Sequence, residues 1–280
     1  MKTKIFFVSL GILALIGTGF ILYPSIADYI NSKNNETVIM TYSESTQTLS
    51  DEDIKNELAK AQNFNKLLAK GALSGDEENE YKTAMEEYSD ILNFDDVICT
   101  VEIPKINVDL PVYHGSDNND EKLKKGCVHL QSTSFPVGGT STHAVISAHS
   151  GYPEQKFFDD LEDLEIGDKF TINILNQTLT YKVCDINVVE PDDSSLLEIE
   201  NGRDYVTLVT CYPYSINTHR LCVRGERVEN ESTATTDETA DSSSKYYSLL
   251  GIRLTLLILV FIIAGLVLGL SIKKSILSKS

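Results

Sequence analysis

None of the five cysteines stands in a C-x-x-C pair, and their wide spacing argues against a zinc site. The count is odd, so an exported chain would keep at least one thiol unpaired. Basic residues are scarce: 24 Lys and Arg face 41 Asp and Glu, a formal charge of −17. Setting aside the six cations Lys2, Lys4, Arg253, Lys273, Lys274 and Lys279 takes the remainder to −23. So acidic a surface repels nucleic acid and anionic lipid heads. No cofactor and no metal are expected.

Apolar residues gather at the two ends. Residues 5–22 and 254–272 carry no charge, and each is long enough to cross a bilayer as a helix. Ser25-Ile26-Ala27 would also serve as a signal-peptide cleavage site, but the apolar run is long for that. Lys2 and Lys4 precede the first run, and Lys273, Lys274 and Lys279 follow the second. The positive-inside rule therefore puts both tails in the cytoplasm and the residues between them outside. The expected divisions are an anchor at 1–23, a juxtamembrane segment and helical arm at 24–94, and a β domain at 95–228. A polar linker at 229–248 and a second membrane helix with a basic tail at 249–280 follow.

Within the arm, Ser50 before Asp51-Glu52-Asp53 reads as a helix cap with an acidic first turn. Ile54, Leu58, Ala61, Leu67 and Leu68 recur at helical spacing, and a second helix is predicted over 78–92. Residues 97–104, 108–114, 142–149, 169–175, 178–190, 204–211 and 219–228 are rich in β-branched and aromatic residues. Short strands in that succession predict a closed barrel or a sandwich. A short helix is predicted at 155–164.

Cys211 has three readings from the residues alone: a small core side chain, half of a disulfide with Cys222, or a nucleophile. A nucleophilic thiol needs a base and a donor for the charge that develops on the attacked carbonyl. Histidine can move the proton. Arg220, always protonated, can supply the fixed charge. Of the five histidines, His143 begins the strand that His149 ends and reads as a structural or surface residue, while His219 reads as exposed. Cys222 and Cys127 read as packing residues. Glu190, Asp192 and Asp193 read as a solvated loop rather than a calcium site.

The stretch TLVTCYPYSINTHRLCVRGER (207–227) resembles the signature of the sortases, cysteine transpeptidases of Gram-positive surfaces. Thr207 to Cys211 match the family's T-L-x-T-C, Arg220 sits where the family has its arginine, and His149 in AVISAHSG matches its histidine. VEIPKINVDLPVYHG, KKGCVHLQSTSFPVGGTSTHAVISAHSG and INVVEPDDSS extend the resemblance to the pilin-polymerising class C over 95–228. It implies a closed barrel of about eight strands with short helices. It also implies that Cys211 attacks the Thr–Gly bond of an LPxTG-like sorting signal. His149 would move the protons, Arg220 would steady the oxyanion, and Thr207, Leu208 and Thr210 would touch substrate. A pilin lysine would resolve the thioacyl enzyme at the membrane of a Gram-positive cell. A cell-wall peptidoglycan amine is the alternative acceptor, and a silent membrane scaffold the alternative of another kind. Class C enzymes carry an Asp-Pro-aromatic lid motif before the barrel. This chain has no proline between Pro24 and Pro104, so that motif is absent: either the arm covers the groove, with Tyr81 or Phe64 the candidate plug, or there is no lid.

Overall fold

The structure, a computed structural model, describes residues 2–71, 75–116 and 119–230. The second apolar run and nearly all of the expected polar linker lie outside the described residues. Two units are distinguished, one holding Met1–Ile26 and the other Ala27–Ser232. In the first, the described residues are the apolar start of helix α1 (Lys2–Gln47), long and apolar enough by composition to cross a membrane.

Helix continues through the polar juxtamembrane segment to Gln47. From Ala27 onwards α1 is part of the second unit and packs within it. Tyr42 is buried, and its hydroxyl donates to the Ile98 carbonyl and accepts from the Leu175 amide, both at 2.9 Å. Thr37, Thr41 and Thr46 turn their hydroxyls back onto carbonyls four residues earlier, so a polar sequence leaves the helical backbone intact.

Helix α2 (Asp51–Ala69) begins at the predicted cap, where Ser50 and Asp53 bond each other's backbone amides. It buries Ala61, Phe64, Asn65 and Leu67. Helix α3 (Asp76–Glu86) and a 3₁₀ turn at Tyr88–Asp90 replace the single predicted helix over 78–92. Eight strands follow: β1 (Val97–Ile103), β2 (Val108–His114), β3 (Cys127–His129), β4 (Thr142–Ser147), β5 (Lys169–Ile174), β6 (Gln177–Val189), β7 (Asp204–Tyr212) and β8 (His219–Val228). A four-residue helix, α4 (Asp120–Leu123), precedes β3.

The strands close into a barrel in the order β1-β2-β3-β4-β7-β8-β6-β5. The pairs β2–β3 and β4–β7 are parallel, and the others are antiparallel. Alternation sends Phe170, Ile172 and Ile174 of β5 into the core, together with Val206 and Leu208 of β7 and Leu221 and Val223 of β8. Each such side chain contributes roughly 1.5–3 kcal/mol on burial. Gly225 of β8 lies under the stacked Phe170 and Tyr181 rings. A Cβ there would come 2.5 Å from the Phe170 ring, so only glycine fits.

Buried polar ties dock the arm. The Asn65 amide donates to the Phe135 carbonyl (3.0 Å) and accepts from the Phe135 amide (2.7 Å), as a neighbouring strand would. His129 is fully buried. Its Nε2 donates to the Ser134 carbonyl, and its Nδ1 accepts from the Tyr88 hydroxyl, both at 2.8 Å. The predicted helix at 155–164 is a loop with one 3₁₀ turn at Leu161–Asp163. Its amides find other acceptors: Phe158 N–H donates to the His149 carbonyl, and the Asp159 carboxylate takes the Phe157 amide.

Two outcomes are expected in urea titrations. Asn65→Ala leaves the buried Phe135 amide without an acceptor, while the Phe135 carbonyl keeps the Val137 amide, and should cost on the order of 1–3 kcal/mol. Burial holds the His129 imidazole down to about 4. The unfolded chain therefore takes up a proton that the folded ring refuses. Stability should be full above about pH 6.5 and fall as pH drops from there towards 4, by on the order of 3 kcal/mol from this ring. In His129→Phe that slope should be shallower.

Candidate active site

Strands β7 and β8 set Cys211 directly across from Arg220 in an antiparallel register that runs unbroken from Tyr205↔Glu226 to Tyr212↔His219. Directly opposed side chains share a face with Cβ atoms about 5 Å apart. Inner positions 206, 208, 221 and 223 fill the core, so Cys211 and Arg220 lie on the outer face. Both are half-buried.

His149 arrives from the other side of β7. Strand β4 pairs in parallel with β7 up to Ser147↔Val209. Beyond the last pair the two segments stay tied. Ala148 N–H donates to the Val209 carbonyl (3.1 Å), Thr210 Oγ1 to the Ala148 carbonyl (2.8 Å), and Ser150 Oγ to the Cys211 carbonyl (2.7 Å). These bonds bracket His149, and continuing the register by two residues sets it beside Cys211. The half-buried imidazole is held below its usual range by burial. The carboxylates of Asp120 and Asp159 oppose that shift, and the Lys124 ammonium adds to it.

Arg220 donates to the carbonyls of His219 (3.0 Å) and Asn217 (3.5 Å). Among the described residues no carboxylate lies within ion-pair distance of it, whereas Arg203 pairs with Glu226 and Arg224 with Glu200. A small recess lined by Ser150, Phe158, Asp159, Thr210 and Tyr214 opens at Cys211.

The remaining expectations sort by burial. Leu208 is fully buried in the barrel core. Thr207, also buried, has its hydroxyl 2.7 Å from His143 Nε2, and the Thr210 hydroxyl is engaged with Ala148. Thr207 and Leu208 are closed off from solvent, while Thr210 lines the recess at Cys211 with its hydroxyl already bonded. His143 is buried, its Nδ1 2.8 Å from the Glu198 carbonyl, as befits a structural histidine. His219 is half-buried rather than exposed. Glu190, Asp192 and Asp193 are exposed. Phe64 is fully buried, with ring centroids 5.1 Å from Phe135, 6.1 Å from Tyr88 and 6.2 Å from Tyr81. Neither Phe64 nor Tyr81 lines the recess at Cys211, so the arm aromatics are packing residues and not a plug. Ser150 and Tyr152 carried no sequence signal, because what marks them is proximity across the fold.

Residues 101–228 match the sortase domain family. The solved structure of sortase C1 of GBS pilus island 1 superposes with a TM-score of 0.64 at 38% identity, covering 72% of this chain and 97% of that one. Sortase C-1 from Streptococcus pneumoniae gives 0.61 at 42% identity, covering 70% and 100%.

This chain belongs to the sortase family.

Its structural neighbours are sortases of class C. Sortase D of Bacillus subtilis is 30% identical over 131 residues, 46% of this chain. This sortase spans 62% of that curated relative and 60% of sortase A of Bacillus anthracis.

All five cysteines are free. Cys222 shares the outer face with Arg220 but is buried, and burial pushes its thiol up to about 11. Burial also raises Cys99, Cys127 and Cys184, which disfavours their thiolates. Alkylation of the native sortase at neutral pH should therefore label Cys211 first and exposed Cys184 slowly. Cys99, Cys127 and Cys222 should react only after unfolding. Peptide mass mapping over time checks the order.

Proposed function

We propose that this sortase is a membrane-anchored transpeptidase that cuts an LPxTG-like sorting signal between Thr and Gly. The observation that carries the reading is the three-strand arrangement: Cys211 paired across β7–β8 with Arg220, and His149 bracketed beside it by β4. Acyl transfer needs a nucleophile, a proton carrier and a fixed positive charge, and these three supply them. The Cys211 thiol passes its proton to His149, its sulfur attacks the threonine carbonyl, and Arg220 steadies the oxyanion. The C–N bond to glycine breaks as His149 gives the leaving amine its proton. An incoming amine then attacks the thioester, gives its proton to His149, and expels the Cys211 thiolate.

The acceptor in this reading is a lysine of a pilin subunit, supported by similarity to the pilus-island sortase C1. A second acceptor, the amine of cell-wall peptidoglycan, is favoured by the missing Asp-Pro-aromatic motif and by similarity to sortase A proteins. Products separate the two: a ladder of covalent polymers, or single chains linked to wall.

Burial holds the His149 imidazole below its usual range.

Incubating the full chain with an LPxTG-type peptide and a lysine-bearing acceptor should give the amide-linked product, with the cleaved acyl fragment transiently bound to Cys211 by mass. Arg220→Lys should retain folding and lose about 10²-fold in kcat/KM, since a point charge does not reproduce the guanidinium donors. The acidic limb of the pH profile of kcat/KM should lie below 6.5. Acceptor-independent hydrolysis as the sole product would make the protein a peptidase.

A further inference from the structure

His149 is steadied by an aromatic stack, and the loop that carries the stack is fastened by α1. The Tyr152 ring lies 10° from parallel with the imidazole at a centroid distance of 5.5 Å. Phe157, fully buried, tilts against both rings, at 6.4 Å from His149 and 5.8 Å from Tyr152. The loop is tied within itself. The Asp159 carboxylate accepts from the amides of Gly151 (3.0 Å) and Phe157 (2.9 Å), and Phe158 N–H donates to the His149 carbonyl (3.0 Å). Gly151, at φ +74°, makes the turn that brings Tyr152 back over the histidine.

The loop is also tied outwards. Asn31 Nδ2 donates to the Glu154 carbonyl (3.0 Å), and the Asp28 carboxylate accepts from the Lys156 amide (2.9 Å). Asp28 and Asn31 stand three residues apart on one face of α1. Both bonds go to main-chain groups of the loop, so they fix its path independently of the side chains at 154 and 156.

We propose that Tyr152 is a positioning residue for the His149 imidazole, and that Asp28 and Asn31 of α1 set it by fixing the loop that carries it. The inference rests on the acid–base role proposed for His149. An imidazole that must meet the leaving amine and then the incoming one has to keep its ring plane through both half-reactions. A parallel neighbour restricts rotation about the Cβ–Cγ bond, and the loop bonds keep that neighbour in place. The charged groups acting on the ring are Asp120, Lys124 and Asp159; Tyr152 also acts on Lys124, and Tyr152→Phe, which removes only the hydroxyl, separates that effect from the stack.

The test compares the full chain in detergent micelles with Tyr152→Ala, Tyr152→Phe and the double variant Asp28→Ala/Asn31→Ala. With peptide and amine, Tyr152→Ala should lose roughly tenfold to a hundredfold in kcat at little changed KM, and Tyr152→Phe should restore the wild-type value. The double variant should move kcat in the same direction. Wild-type kcat in Tyr152→Ala, failure of Tyr152→Phe to restore it, or wild-type kcat in the double variant would overturn the proposal. His149 is also titrated by NMR without substrate. Its midpoint should rise towards 6.5 in Tyr152→Ala and in the double variant as water reaches the ring. An unchanged midpoint in both counts against positioning. If the wild-type chain transfers no acyl group, the transpeptidase reading fails, and the titration still decides the positioning claim. Tyr152→Leu replaces Tyr152→Ala if thermal melting shows the latter unfolded.

Discussion

The antiparallel pairing of β7 with β8 is the constraint on which the site depends. A slip of one residue would turn every side chain of a strand to the opposite face. Cys211 would then point among the core residues, and Arg220 would bring a guanidinium into the barrel. The register is held because Val206, Leu208, Leu221 and Val223 are core residues on the same two strands. The hydrophobic effect, acting on residues with no chemistry of their own, thus fixes where the chemistry stands. Gly225 adds a steric lock, since no other residue fits beneath Phe170 at that register.

The second level is polar. Where β4 ends, three hydrogen bonds from Ala148, Thr210 and Ser150 carry the parallel alignment past the last ladder pair and bring His149 alongside. The arm uses the same device, since Asn65, Tyr88 and Tyr42 each satisfy backbone or histidine groups of the barrel. Such bonds add little when made, but an unmade one in a buried setting costs 1–3 kcal/mol, so they specify one docking geometry.

What the sequence revealed follows from the range of each signal. The Ser50 cap and the seven long strand segments rest on local patterns, and they reappear nearly residue for residue. The Cys211–His149–Arg220 set was legible through its motifs, and its convergence follows from strand order. Residues 27–47 gave no helical signal of their own, because their helix is held by contacts such as Tyr42 with Ile98 and Leu175. Residues 155–164 showed helical composition, yet their amides go to His149 and Asp159, partners that a local window does not weigh. Thr207 and Leu208 stand in the motif yet are buried, which a motif alone does not reveal. The stack of Tyr152 on His149 left no trace in the sequence.

The most direct measurement is mild oxidation of an Arg220→Cys variant of the full chain. Directly opposed strand residues have Cα atoms about 4.5–5.5 Å apart, within the reach of a disulfide. The β7–β8 register predicts a bridge linking the peptides that carry positions 211 and 220, with none in a Leu221→Cys control. A thiol at position 220 that stays free, or a bridge from Cys211 in the control, would contradict it.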